Sequence, residues 1–251
     1  MRIDSLKGGY AYVPALPFAS AGVVALPGMS LVRAVFAEPR PLRAGFAAVE
    51  RHLESAHRPL AALCGFEFRM PKVLSPEGFL AFNTRYLAQL KTWNLVQAAP
   101  PTLSRTNVVP LGTALAEDAL YAFSYTIEER EVFKCFVVSG TPELIPGDGF
   151  SGFSILRRGE TSEEALRDKT RCAVSNVRRV VDALGASWDA ACCVHLYSRW
   201  PLERELRRAI GAGPRGVTPA HGIVCYDSDP PVFELELEVD VRRYRHELML
   251  S

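Results

Sequence analysis

The 251-residue chain is 48% hydrophobic and 23% charged with a formal charge of +1, the balance of a soluble globular protein with room for one large or two modest domains. Its lysines and arginines never gather into a basic run, so binding to a nucleic-acid backbone is not expected. Residues 11–28 are apolar but broken by Pro14, Pro17 and Pro27, and no stretch approaches the ~20 apolar residues that span a bilayer, so a cytoplasmic protein without membrane contact is expected.

In chain order, a β-like run at 21–26 precedes a predicted helix at 41–56 and a strand at 61–68. Pro76 suits the first turn of a second helix reaching residue 90, and strands follow at 107–111 and 120–126. The order then recurs. A strand is predicted at 133–139, and Thr161 with Glu164 three residues on forms a capping box. Ala165, Leu166, Cys172, Val177, Val180, Val181 and Leu184 make one apolar helical stripe, which Gly185 ends. Residues 190–197 read as a strand, and Pro201 opens a helix that Gly211 stops. Strands at 222–225 and 232–239 flank a loop rich in Asp227, Asp229, Pro230 and Pro231.

Shifting the chain by 128 residues lays 43–71 on 171–199 without a gap, matching Arg43 to Arg171, Val49 to Val177, Arg51 to Arg179, Ala62 to Ala190 and Cys64 to Cys192. The predicted fold is therefore α+β, with two diverged copies in tandem at 1–127 and 128–251. Each copy is a mixed sheet with two helices packed on one face. None of the six cysteines forms a C-x-x-C pair, and most sit in apolar segments, where free thiols behave as small core residues. No phosphate loop, dinucleotide fingerprint or Ser-His-Asp pattern appears, so no metal and no cofactor are expected.

The phrase Cys135-Phe136-Val137-Val138-Ser139-Gly140, then Asn176-Val177, Leu184-Gly185-Ala186-Ser187, Val194-His195-Leu196-Tyr197 and the acidic run from Phe233 to Glu238, resembles the RidA/YjgF family of enamine/imine deaminases in order and kind. A second resemblance spans both copies. Trp93-Asn94, Pro101-Thr102-Leu103-Ser104-Arg105 and Val138-Ser139-Gly140-Thr141 are similar to chorismatases, which carry RidA-like domains. The resemblance implies a small-molecule carboxylate as substrate, no cofactor and a homo-oligomer, by family habit a trimer. Two departures stand out. The family's carboxylate-gripping arginine is replaced in the second copy by His221, and the Cys-Arg pair of chorismatases by Cys225-Tyr226.

Strand alternation over 232–239 sends Phe233, Leu235 and Leu237 toward the helices and Glu234, Glu236 and Glu238 to the other face. By the resemblance Glu234 is the active-site glutamate, with Glu236 beside it raising its pKa and Glu238 at the surface. Arg105 reaches across from the first copy as anion anchor. His221 helps to hold carboxylate, and Ser139 with the Gly140 amide takes a second polar group. Tyr197 lies at the pocket rim, while His195 reads as a core histidine. The first-copy positions matching Ser139 and Gly140 are taken as Ala25 and Leu26, which places the site in the second copy. The expected reaction is hydrolysis of an enamine or imine C–N bond. Cleavage of an enol-pyruvyl ether and a non-catalytic binding module stand as alternatives.

Overall fold

A computed structural model describes residues 1–96, 101–131, 133–148, 152–211 and 222–251. Its strands are β1 (Ile3–Ser5), β2 (Tyr10–Leu16), β3 (Ala19–Ala25) and β4 (Met29–Pro41). Helix α1 (Leu42–Ser55), β5 (Leu63–Arg69), α2 (Pro76–Thr92), β6 (Ser104–Pro110) and β7 (Ala119–Glu128) follow. The second series is β8 (Phe136–Pro142), a small hairpin of β9 (Leu144–Pro146) and β10 (Phe153–Ile155), α3 (Glu163–Ala183), β11 (Cys193–Ser198), α4 (Glu203–Gly211), β12 (Ile223–Asp229), β13 (Glu238–Arg243) and β14 (His246–Leu250). No helix among the described residues is long and apolar enough to cross a membrane.

Local chemistry sets the helix ends. Ser75 accepts a hydrogen bond from the Gly78 amide at 3.2 Å and caps α2, with Pro76 in its first turn. Ser162 does the same for α3 through the Ala165 amide at 3.2 Å, one residue after the expected cap at Thr161. Gly185 stops α3 with a φ of +64°, a conformation glycine adopts without steric cost. Phe46, Val49 and Leu53 of α1 and Phe82, Tyr86 and Leu90 of α2 pack on Phe66, Phe68 and Phe123 of the first half. Leu166, Val174, Val177 and Val181 of α3, with Leu206 and Ile210 of α4, pack on Val138, Val194, Leu196, Val239 and Val241 of the second.

Among the described residues one 12-stranded sheet runs β1-β2-β3-β8-β13-β11-β12-β6-β5-β7-β4-β14. The four central strands of the second half, β8-β13-β11-β12, meet the reversed series β6-β5-β7-β4 of the first. The join is antiparallel, Ser228 opposite Pro110 and Asp229 opposite Val109. Two helices cover one face of each half, so the expected duplicated α+β architecture is present. The strand that matches β8 is β4, because each lies antiparallel to the last long strand of its half. Ala34 faces Phe123 as Val138 faces Val241, and Phe66 and Val194 face those two residues alike from the other side, so Val35 and Phe36 stand where β8 has Ser139 and Gly140. The expected match to Ala25 and Leu26 is thereby corrected. Those residues pair or lie beside β2 and β8 because β3 belongs to the second half's sheet.

Strands from both ends cross the expected division at 127/128. β3 pairs antiparallel with β8, Gly22 opposite Val138, and carries β2 and β1 with it. β14 returns to the first half and runs parallel to β4, His246 opposite Val32. Each half is thus completed by residues from the far end of the chain.

The helix-free faces turn inward on each other, joined by an apolar cluster that includes Tyr10, Val23, Leu31, Cys64 and Val137 and by a network of buried charges. Arg33 Nε and Nη2 donate to the two Glu67 oxygens at 2.7 Å each. Arg242 bridges Glu67 and Asp240, and Asp240 also accepts from Thr106 at 3.0 Å and Tyr197 at 3.1 Å and lies 2.9 Å from His195 Nδ1. His195 is the satisfied core histidine that its apolar strand implied.

Candidate active site

Where the sheet curls, the start of β6 lies beside β8 and β3 without a backbone ladder. Side chains close the seam instead. Ser139 Oγ donates to the Ser20 carbonyl at 2.7 Å and accepts from the Arg105 amide at 3.0 Å. The Gly140 amide donates to Thr106 Oγ1 at 3.1 Å, and the Ser20 amide to the Leu103 carbonyl at 2.9 Å. Ser139 and Gly140, expected to touch substrate, are therefore engaged in joining the two halves.

Two ionisable groups converge on this seam. Arg105 is buried, its guanidinium carbon 4.8 Å from the Phe18 ring centre, 4.9 Å from Tyr86, 5.4 Å from Phe82 and 5.6 Å from Phe79. Its Nη1 has no hydrogen-bond partner. Burial lowers its pKa to about 10, against the pull of Tyr86 and Glu238. Glu238, at the start of β13, is buried as well, and its Oε2 is unpartnered. Burial first, and the Asp240 and Glu143 carboxylates with it, hold the Glu238 carboxyl well above the ordinary range despite Arg105. A shift in that direction favours the protonated, neutral acid. The Glu238 Oε2 lies so close over Gly140 that a Cβ there would make the carboxyl group shift.

The pairing register shows why the site is unique between the halves. Phe66 faces Arg105 in the first half as Val194 faces Ile223 in the second, so Ile223 stands where Arg105 does. Arg69 faces Ala119 as Tyr197 faces Glu238, so Ala119 stands where Glu238 does. The arginine survives only in one copy and the glutamate only in the other.

A second buried group adjoins the seam. Lys169 Nζ lies 3.5 Å from Glu143 and 3.8 Å from Glu236 with no side-chain exposure. Glu143 also accepts from the Glu236 amide at 2.8 Å, and burial raises its pKa. Glu236 is held by this lysine and by Trp200 Nε1, which donates at 2.7 Å.

Three expectations need correction. Residues 233–237 are not a strand: Phe233 and Glu234 lie in a turn, with Glu234 at a φ of +71°. The Glu234 side chain is 42% exposed and accepts from Arg158 Nε at 2.8 Å, which lowers its pKa. It therefore faces solvent as an ordinary carboxylate and is withdrawn as the acid. Tyr197 is fully buried, stacked on Tyr226 at 4.9 Å and bonded to Asp240, so it lines no rim. His221 lies outside the described residues. Of the residues singled out, Arg105, Ser139 and Gly140 come together, while Glu238, expected at the surface, is buried beside them because β13 begins there and carries it into the sheet. The alternation Glu238-Val239-Asp240-Val241-Arg242 was the available signal, since it continues strand periodicity beyond the acidic run.

The family model described as 2-aminomuconate deaminase CnbZ matches residues 2–248. A 2-amino-5-chloromuconate deaminase of Comamonas testosteroni is 34% identical over 250 residues, covering 97% of this chain and 96% of that protein. Among solved structures, a chorismatase superposes over 96% of this chain and 78% of its own with a TM-score of 0.52 at 13% identity, a likeness of fold. The YjgF gene product of E. coli aligns with 46% of this chain and 84% of its own at 15% identity and a TM-score of 0.32. The full-length match and the one-third identity decide the matter: the chain belongs to the 2-aminomuconate deaminase CnbZ family and is an enzyme of the C–N-cleaving, deaminating class.

Proposed function

We propose that this deaminase hydrolyses a conjugated amino diacid of the 2-aminomuconate type, with Arg105 as carboxylate anchor and Glu238 as general acid and base. The substrate class is supported by the family and by the activity in the Comamonas relative's name. The single observation that carries the chemistry is Glu238: a buried carboxyl with an unpartnered oxygen, its pKa raised by that burial, within electrostatic reach of an arginine with an unpartnered nitrogen. An Arg–carboxylate contact in such surroundings is charge-assisted and orients the substrate as well as binding it.

Neutral Glu238 delivers its proton to the carbon conjugated with the amino group, turning the enamine into an iminium. The resulting carboxylate takes a proton from the water that adds to the iminium carbon. The carbinolamine then expels ammonia and leaves a keto acid, with Glu238 protonated as it began. Enamine plus water equals ketone plus ammonia, so no cofactor is needed for balance.

The test measures ammonia released from 2-aminomuconate and pyruvate released from chorismate, by wild type and by Glu238→Gln. The expectation is ammonia alone, slowed about a hundredfold or more in Glu238→Gln, the usual worth of a general acid–base group. Glu234→Gln should leave the rate as it is. Pyruvate without ammonia would replace the deaminase reading with ether cleavage, and an undiminished Glu238→Gln would remove this carboxyl from the mechanism.

A further inference from the structure

Beneath α2, the chemistry just described leaves several polar atoms unused. Asn83 is 1% exposed and Asn107 4%, and in both side chains neither the amide oxygen nor the amide nitrogen has a partner. The Tyr86 hydroxyl is buried and unpartnered too. Folded proteins seldom leave buried polar groups unpaired, and three residues so placed on facing elements call for an explanation. Phe79, Phe82, Asn83 and Tyr86 are spaced to share one side of α2, and the contact of Arg105 with the three aromatic rings shows that this side faces β6. Asn107 lies two residues beyond Arg105 and shares its strand face, roughly 7 Å further along. That offset is comparable with the span of a conjugated six-carbon diacid.

We propose that Asn83, Asn107 and Tyr86 form a second carboxylate subsite, holding with uncharged donors the end of the substrate remote from the amino-bearing carbon, while Arg105 holds the near end. This rests on the reading that the substrate is an amino diacid. Neutral donors suit the far end because the guanidinium already supplies the one compensating charge among these buried aromatic rings. They also provide selectivity: an acid lacking the second carboxylate leaves these groups unpaired, and a site built to hydrogen-bond rejects analogues that cannot.

The test uses muconate, which has both carboxylates and no amino group, and sorbate, which has the same chain length and one carboxylate. Calorimetry would give affinities for wild type, Asn83→Leu, Asn107→Leu and Tyr86→Phe. Wild type should prefer muconate, and each leucine variant should lose about ten- to a hundredfold in muconate affinity, the worth of hydrogen bonds to a charged group, with sorbate unchanged. Tyr86→Phe keeps the ring against Arg105 and removes one hydroxyl. It stays informative if a leucine variant fails to fold, and should weaken muconate alone. Equal affinity of wild type for the two acids, or equal weakening of both in the variants, would overturn the proposal. Muconate cannot be deaminated, so preserved muconate selectivity without ammonia release from 2-aminomuconate would count against the reaction and leave the subsite standing.

Discussion

At Glu238, the proposed role in proton transfer comes at the expense of stability. The carboxyl's pKa is raised because its surroundings offer little to the anion: buried, beside Asp240 and Glu143, with one oxygen unpartnered. Its folded pKa lies above the ~4.3 of an unfolded glutamate. Below that unfolded value both states hold the proton and the group's full contribution is present. As pH rises, the unfolded chain releases the proton while the folded chain retains it, so stability falls until the folded group itself ionises. Glutamine carries no such penalty. Glu238→Gln is therefore expected to melt higher than wild type at pH 7–8, with the gap closing toward pH 4, while losing activity. Thermal melts across that range check it, and a wild type that stays the more stable at pH 8 would contradict the neutral state assigned to this group.

Between strands, the inward-facing ion network links the two copies. Glu67 of β5 binds Arg33 of β4 on its own side and Arg242 of β13 across the interface. Against the cost of burial, Arg242 first and then Arg33 pull its pKa down to about 2. A depressed carboxylate stabilises the fold above its unfolded pKa, and that contribution is lost as pH falls from ~4.3 toward 2. Glu67→Gln leaves two buried guanidiniums short of a counter-charge, a change expected to cost about 3–5 kcal/mol. Urea titration at pH 7 measures that loss. In an acid titration the variant should show a shallower decline below pH 4 than wild type, because Asp240 still contributes one. The wild-type arrangement was hard to anticipate, because Arg33 and Glu67 lie in strands that otherwise read as apolar. β4 in particular was missed as a strand: Glu38, Pro39 and Pro41 disguise its end, and both of its faces are buried near Val32 and Val35.

For the chain as a whole, the crossing of its ends makes each half depend on the other. The core under α3 and α4 includes Ala11 and Val24, which arrive with β2 and β3. A fragment of residues 128–251 exposes that core and the outer edge of β8, and it carries β14 without the strand that β14 pairs with. It is expected to lack a cooperative melt. Joining residues 1–26 by a flexible linker ahead of residues 133–244 should restore one, as followed by circular dichroism. Cooperative melting of the bare fragment would mean that the halves are independent despite the exchanged strands.

The sequence by itself determined the duplicated plan, the two helix pairs, the strands that follow each long helix and the family resemblance. These rest on local periodicity, capping and turn residues, which act within a few residues of one another. It also marked Arg105, Ser139 and Gly140, because their phrases are contiguous. Only the tertiary structure decided which of three alternating glutamates is enclosed. Burial at Glu238 is supplied by Gly140 and Thr106, and its charge state by Asp240, Glu143 and Arg105. Only the curl of the sheet brings β6 to β8, and so joins an arginine from one copy to a glutamate from the other. A pKa is set by whatever the fold brings within a few ångströms, and most of those groups lie about a hundred residues away or more.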